Sequence, residues 1–380
     1  MNKAVGGLYI HIPFCRQACR YCDFYFTVSH HYQDQFTAAL LKELEIRVSE
    51  HEKGTRLETL YLGGGTPSLL RPDNLERIVD MVQRTYGFSE GLEMTIECNP
   101  DDLDSSQLGI FRELGFNRIS IGIQSFRNED LKLMRRSHNA EQAQRAVHDA
   151  AAAGFNNITV DLIYGIPGQT VPDWRENILR ALELPVNHIS AYHLTFEPGT
   201  VFDHWKKKGR ISPVPEDESI AMYRLLREEL TGAGFEHYEI SNFAREGWRS
   251  RHNQLYWSGR PYLGFGPSAH SFTGSNRHWN VASLKQYLKS LEEGAVVSEK
   301  EELSEKERYH DYLITSLRTC EGADLNLILE RFGESVRKDF TVKCGQFIKE
   351  GLMFEQGSRV AIEPDSWLLA DHIMRDLFLE

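Results

Sequence analysis

From residue 7 to about residue 195 the chain switches repeatedly between two hydrophobic periods. Short runs in which apolar and polar residues take turns give way to longer stretches with apolar positions three or four apart. The first period puts side chains on opposite faces of a strand, and the second lines them along one stripe of a helix. Strands are predicted at 8–12, 57–62, 93–98, 118–124, 158–164 and 188–194, with helices at 32–50, 72–86, 103–114, 140–153 and 174–183. Arg-Ile-Ser-Ile-Gly-Ile-Gln at 118–124 is a strict alternation, and Phe36, Leu40, Leu41, Leu44 and Val48 mark a helical stripe. Pro72 suits a first helical turn, where its missing N–H costs little, and Gly154 suits a helix end. Six strand–helix units imply a mostly parallel sheet, closed or partly closed as a barrel, with an open doubly wound sheet as the alternative. Such folds carry their chemistry at the C-terminal ends of the strands.

After Glu197-Pro198-Gly199-Thr200 the alternation stops. Residues 201–215 read as a basic connection, 216–233 as a helix, 238–243 as an edge strand, and 251–275 as aromatic, glycine-rich irregular structure packed on the barrel. A helix at 284–293 precedes an acidic stretch near 296–303 that reads as a boundary. Helices at 306–317, 325–331 and 336–350, a hairpin of 352–354 with 359–362, and a helix at 366–379 then predict a winged-helix-like α+β module. The expected division is 1–200 for the barrel, 201–296 for an extension that covers it, and 297–380 for the C-terminal module.

Composition narrows the functional classes. A chain of 380 residues, 41 % hydrophobic and 26 % charged, has the profile of a soluble globular protein with two or three domains. A net charge of −12 argues against a nucleic-acid partner, so the C-terminal module reads as a packing or partner surface. No apolar run approaches membrane-spanning length. The first seven residues are too few and too polar for a secretory signal, so the expected location is the cytoplasm, with at most peripheral contact with a membrane.

Three of the six cysteines, Cys15, Cys19 and Cys22, follow the first strand as Cys-x3-Cys-x2-Cys. Three thiolates on one loop can converge on a soft metal centre, and a four-iron cluster held by three cysteines keeps one iron open. Zinc is the other metal reading, with His11 or Asp23 as a fourth ligand, although zinc sites usually carry a second cysteine pair. Cys98, Cys320 and Cys344 are isolated.

Other candidates sit at strand ends. Gly63-Gly64-Gly65-Thr66 follows the second strand and is either a tight turn or a cradle that lets a ligand reach the backbone N–H groups. Glu97 and Gln124 end the third and fourth strands, where each is a solvated end residue or a ligand contact. Asp161 interrupts an apolar strand, and a buried carboxylate needs a partner, for which Arg136 is the candidate. His252, in His-Asn-Gln-Leu-Tyr-Trp, is either a packed core histidine or an imidazole for haem iron flanked by aromatics. His270 is a second such histidine, or simply a loop residue.

The cysteine loop and the Tyr-Ile-His-Ile-Pro-Phe before it resemble the cluster loop of radical S-adenosylmethionine (SAM) enzymes. The resemblance is to the branch that contains oxygen-independent coproporphyrinogen III oxidases and haem chaperones. It implies a partial (β/α)6 barrel holding a [4Fe-4S] cluster on Cys15, Cys19 and Cys22, with SAM on the open iron. It also implies that an electron from the cluster can cleave SAM to methionine and a 5′-deoxyadenosyl radical. Gly64, Gly65 and Thr66 match the motif that meets the methionine part of SAM. Glu97, Gln124, Arg136 and Asp161 match SAM-pocket positions, and Tyr9 and Tyr21 match aromatics beside the cluster. Phe24 stands where the oxidases carry a fourth cysteine, and Cys15 comes without their N-terminal extension. The segment from Arg251 to Trp257 is similar to the His-Asn-x-x-Tyr-Trp motif that relatives associate with haem. The implied function is haem binding and transfer to acceptor proteins, respiratory and membrane-associated ones included, with an electron donor for the cluster. The alternative is oxidative decarboxylation of coproporphyrinogen III.

Overall fold

The alternation of the strands is what shapes the molecule. In the computed structural model, which describes residues 6–379, the odd and even positions of each barrel strand part cleanly. Met1–Val5, part of the stretch read as too polar for a secretory signal, lies outside the described residues. One face of the strands is apolar and fully buried: Leu8, Ile10 and Ile12, then Leu60, Leu62, Ile96, Ile119, Ile121, Val160, Leu162 and Ile189. It packs outward against the helices. The other face carries Tyr61, Glu97, Arg118, Ser120, Thr159, Asp161, His188, Ser190 and Tyr192, which line the interior.

The elements run β1 (Gly7–Ile12), α1 (Gln33–Ile46), β2 (Leu57–Gly64), α2 (Pro72–Tyr86), β3 (Phe88–Cys98), α3 (Ser105–Glu113) and β4 (Arg118–Gln124). Next come α4 (Asn128–Met134), α5 (Ala140–Ala152), β5 (Asn157–Tyr164), α6 (Val171–Leu182) and β6 (His188–His193). Strands β1 to β6 pair side by side and parallel. The sheet is a partial barrel whose edges do not meet, as expected.

The second half departs from the expectation in several places. The basic connection contains a short helix, α7 (Val201–Lys207), capped by Thr200 Oγ1, which accepts from the Asp203 N–H at 3.2 Å. Seven residues ending in lysines carry too little apolar pattern to show it. Helix α8 (Glu216–Gly232) is as predicted. The single edge strand is a hairpin, β7 (Glu236–Glu239) with β8 (Asn242–Ala244), and β8 pairs antiparallel with β6. The stretch read as irregular holds helix α9 (Arg251–Trp257) and strands β9 (Tyr262–Phe265) and β10 (His270–Phe272). Strand β9 pairs parallel to β1, and β10, β11 (Asn276–Asn280), then β12 (Ser298–Glu302) beyond helix α10 (Leu284–Glu292), extend the sheet antiparallel. The full order is β12-β11-β10-β9-β1-β2-β3-β4-β5-β6-β8-β7. The acidic stretch is therefore the sheet's outermost strand, and its charges blunt an exposed edge.

The C-terminal module is α11 (Glu305–Ser316), β13 (Ala323–Asp324), α12 (Leu325–Lys349), the hairpin β14 (Met353–Gln356) with β15 (Arg359–Ile362), and α13 (Ala370–Asp376). Gly333 breaks α12 with φ 88° and ψ 172°, which accounts for the two helices predicted there. A 3-10 turn at Pro364–Leu369 takes the first part of the predicted last helix. Among the described residues no helix is long and apolar enough to cross a membrane.

A buried ion pair bolts the added strands to the barrel. Glu43 on α1 is fully buried and accepts from Arg47 Nη1 (2.8 Å), Asn280 Nδ2 (2.7 Å), the Tyr287 hydroxyl (2.6 Å) and the Gly266 N–H (2.9 Å). Arg47 donates onward to the Gly264 carbonyl at 2.7 Å and to Ser271 Oγ at 3.1 Å. Glu43→Ala would leave four donors, the Arg47 guanidinium among them, without this acceptor, while Glu50 still pairs with Arg47 at 2.9 Å, for an expected loss of about 3 kcal/mol. Urea unfolding checks this, and a loss under about 1 kcal/mol, as for an exposed pair, would show that the flank does not rest on Glu43.

Candidate functional site

The loop after β1 is closed at its base. Thr27 N–H donates to the Pro13 carbonyl at 2.6 Å, and Cys15 N–H to the Thr27 carbonyl at 2.9 Å. Arg16 pairs with Asp101 and Asp102, and Gln17 Nε2 donates to the Arg135 carbonyl at 2.8 Å. The Arg20 guanidinium lies over the Trp205 ring at 4.6 Å, and the Phe202 N–H donates to the Arg20 carbonyl at 3.0 Å. Helix α7 thus pins the loop from the side.

Cys15, Cys19 and Cys22 all line one cavity of about 400 Å³ at the C-terminal ends of the strands. Thr66 Oγ1 donates to Cys15 Sγ at 3.7 Å, and Arg136 Nη1 lies 3.4 Å from both Cys19 Sγ and the Tyr21 hydroxyl. Burial pushes the Cys15 thiol up to about 11 and the Cys22 thiol up to about 12. Among the described residues no three histidine, cysteine or acidic groups gather closely enough for a single ion. Thiols that each take a different iron of one cluster stand further apart than ligands of one ion. Three thiols on one cavity wall are the donor set of a cluster with one open iron.

The glycine turn is packed against that loop. Gly64 has φ 107°, and a Cβ there would sit 2.5 Å from the His11 ring; one on Gly65 would sit 2.8 Å from the carbonyl oxygens of Ile12 and Phe14. The Gly64 N–H donates to Glu97 Oε2 (3.0 Å) and the Gly65 N–H to the Ile12 carbonyl (2.8 Å). Those two N–H groups are engaged within the protein. Thr66 and the bare backbone surface remain open to the cavity.

Glu97 also accepts from the Tyr61 hydroxyl at 2.7 Å. Burial pushes its carboxyl up to about 7, against the pull of the Tyr61 hydrogen bond and with help from nearby Asp161. Asp161 accepts from Ser120 Oγ at 3.0 Å, and burial raises it too. Arg136, expected as its partner, acts on Asp161 through its charge and makes no hydrogen bond to it. Arg136 Nη2 instead donates to Asn99 Oδ1 (2.6 Å) and the Gly122 carbonyl (2.8 Å). Asn99 Nδ2 reaches Thr66 Oγ1 at 3.2 Å and so ties Arg136 to the glycine turn. Gln124 lines the cavity with φ 69°, at a register shift where β4 leaves β5.

The remaining candidates lie outside the cavity lining. Tyr9 is behind the wall, its hydroxyl 3.2 Å from His11 Nδ1 and its ring against Tyr61 and His252. His252 is buried on α9, with Nδ1 2.7 Å from Thr59 Oγ1 and Nε2 2.8 Å from the Tyr256 hydroxyl. Both ring nitrogens are engaged, so as placed it presents none to an iron. His270 is exposed on β10, its ring stacked 5.8 Å from that of Trp279. The alternation of β4 to β6 already carried the signal for residues the prediction passed over: Arg118, Ser120, His188, Ser190 and Tyr192 all line the interior. Ser250 and Asn253, at the start of α9, close its floor.

Comparison with known proteins places this geometry. A family model described as Radical SAM superfamily matches residues 9–181, and one described as HemN C-terminal domain matches residues 303–369. The protein named "Heme chaperone HemW" of Bacillus subtilis (strain 168) is 35 % identical over 369 residues, which cover 96 % of this chain and 97 % of that one. The protein of the same name from Lactococcus lactis subsp. lactis (strain IL1403) is 31 % identical over 381 residues, covering 100 % and 99 %. The solved structure of coproporphyrinogen III oxidase (HemN) from Escherichia coli superposes with a TM-score of 0.85 at 24 % identity, over 99 % of this chain and 90 % of that one. That likeness speaks for the fold alone.

Glu97 makes the site sensitive to pH. Its folded-state pKa is raised, so its contribution to stability is present below the ordinary carboxylate range and is lost as pH rises through about 7. The melting temperature of the cofactor-free protein should fall more between pH 5.5 and 8 than that of Glu97→Gln, as read by thermal denaturation on the order of one proton's linkage. Parallel curves would show that Glu97 is already ionised in the folded state.

Proposed function

The chain belongs to the radical SAM superfamily and, within it, to the family of proteins named heme chaperone HemW, and on that footing we propose that it binds haem and hands it to acceptor proteins. The observation that carries this reading is that the kinship runs the full length of the chain, C-terminal module included. The division into barrel, covering extension and C-terminal module is proposed as the functional division as well.

Cys15, Cys19 and Cys22 are the residues proposed to hold a [4Fe-4S] cluster. When bound, such a cluster supplies an open coordination position for SAM and one electron at a time, which calls for an electron donor. The chain's own groups do the positioning. Arg136 faces the Cys19 sulfur and balances thiolate charge, while Asn99 holds it there. Glu97 and Asp161, both pushed toward protonation by burial, ionise most readily against a cationic ligand such as a sulfonium or ammonium. Gly64, Gly65, Thr66, Tyr21 and Gln124 shape the wall around it, and Tyr9 acts through His11.

For haem, the placements rank the two histidines. His270 presents its imidazole at the surface beside the flat Trp279 ring, where a macrocycle could stack. His252 would first have to leave Thr59 and Tyr256, so its proposed role is to lock α9 under the barrel. The proposed location is the cytoplasm, with recipients that include membrane-associated respiratory proteins.

Two experiments test this. Cys19→Ala should abolish cluster incorporation, measured by iron content and absorbance after anaerobic reconstitution; a variant with a full cluster would remove Cys19 from the ligand set. Haem titration should show binding to the wild type, with His270→Ala weakened by about tenfold or more and His252→Ala within about threefold but less heat-stable. The reverse order would return the ligand role to His252, and oxidative decarboxylation of coproporphyrinogen III by the reconstituted protein would overturn the chaperone reading.

A further inference from the structure

The floor of the cavity is built differently from its mouth. Arg118, on β4, is almost completely buried, yet its partners are neutral: Nη1 lies 2.5 Å from Asn157 Oδ1, and Nη2 donates to Thr159 Oγ1 at 2.6 Å. Its Nε is buried with no partner at all. Asp161, one layer above, feels the guanidinium's charge but hydrogen-bonds to Ser120 instead. A buried charge without a paired carboxylate is costly unless something else supplies the counter-charge.

His188, beside it on β6, has the same incompleteness. It is buried, and its Nδ1 has no partner. Its Nε2 lies 2.7 Å from the Tyr238 hydroxyl, a phenol whose proton can go to that nitrogen. Burial and the Arg118 charge keep the imidazole neutral. A neutral ring that accepts at Nε2 carries its proton at Nδ1. The unsatisfied Nδ1 is then a donor, like the unsatisfied Nε of Arg118. Both residues line the cavity, together with Thr159, Ser250 and Asn253.

We propose that this floor is a carboxylate-binding subsite in which Arg118 and His188 Nδ1–H receive the anionic end of a ligand, distinct from the mouth formed by the thiol loop. The complement is a single carboxylate delivered down the barrel. It can come from a carboxylate-bearing porphyrin that enters the barrel instead of stacking on Trp279, a second pose that rests on the haem reading, or from a small free carboxylic acid, which does not rest on it.

The test has one arm for each source. In the first, iron protoporphyrin IX and its dimethyl ester are titrated into the full-length protein and followed by absorbance. A guanidinium–carboxylate contact predicts that the wild type binds the free acid about tenfold or more tightly than the ester, and that Arg118→Gln brings the two within about threefold. Arg118→Lys, which keeps the charge, should retain part of the preference. In the second arm, sodium propionate at millimolar concentration is added in thermal denaturation, with sodium chloride as the ionic-strength control. A propionate-specific rise in melting temperature that Arg118→Gln lacks supports the subsite with a free acid, even if haem fails to bind and the chaperone reading falls. Equal affinity of wild type for acid and ester, together with no propionate-specific stabilisation of wild type, overturns the proposal. Both of those readings use unsubstituted protein, so an Arg118 variant that fails to fold does not decide the matter.

Discussion

Everything in this molecule depends on which face of the strands is polar. In the barrel the apolar face looks outward to the helices and the polar face looks inward. A sheet buried on both faces usually reads as continuous hydrophobic runs. Here the alternation along β2 to β6 keeps tyrosines, carboxylates, a guanidinium and an imidazole inside. Burying polar groups costs free energy unless they are hydrogen-bonded, so such a lumen is stable only where its groups satisfy one another or a ligand. Tyr61 with Glu97 and Ser120 with Asp161 are solutions of the first kind. The unpartnered atoms of Arg118 and His188 are the places where the lumen is left unfinished.

The backbone bends its own rules around the same space. Gln124 and Arg135 are two of three non-glycine residues with positive φ among those described. One ends β4 at the cavity wall. The other is the left-handed cap of α4 that hands the chain to Arg136. Conformations of this kind cost on the order of 1–3 kcal/mol and persist only where the surroundings hold them. Here the holding is visible. Arg136 donates to the Gly122 carbonyl on β4 just before the Gln124 bend, and the Arg135 carbonyl takes Gln17 from the cysteine loop. The two strained residues and the thiol loop are therefore one mechanical unit.

Much of this was readable in the chain, because period and position do the work. The six strands, the cysteine loop and the strand-end residues follow from alternation and from the rule that barrel chemistry sits at strand ends. What escaped were elements whose support is tertiary. Helix α7 is seven residues long and is held by packing on the thiol loop. Strands β9 to β11 are three to five residues each, and their place comes from the Glu43–Arg47 network on a helix far away in sequence. Arg118 and His188 were visible inside the predicted strands, but a strand's first inward residue looks like a solvated end until the helix below it is known. Helix α9 is that lid. His252 faces the packing side of it and Asn253 the cavity side, so adjacent letters of one motif serve opposite purposes.

Taken along its axis, the cavity carries alternating charge. Arg136 stands with the thiols at the mouth, Glu97 and Asp161 occupy the middle, and Arg118 lies at the floor. Each group is held back from its natural partner. Arg136 spends its donors on Asn99, Gly122 and sulfur rather than on Asp161, and Arg118 spends its own on an amide and a hydroxyl. Had the guanidinium groups closed on the carboxylates, the barrel would have a filled ionic core and little reason for a cavity. Held apart by neutral residues, the charges remain available. The low-dielectric walls make them strong, and burial, which raises both acids, makes a cation their natural counter-charge. The space thus favours an occupant with positive charge at mid-depth and negative charge at the floor. Arg136 stands apart from that pattern, because its charge serves the sulfurs at the mouth.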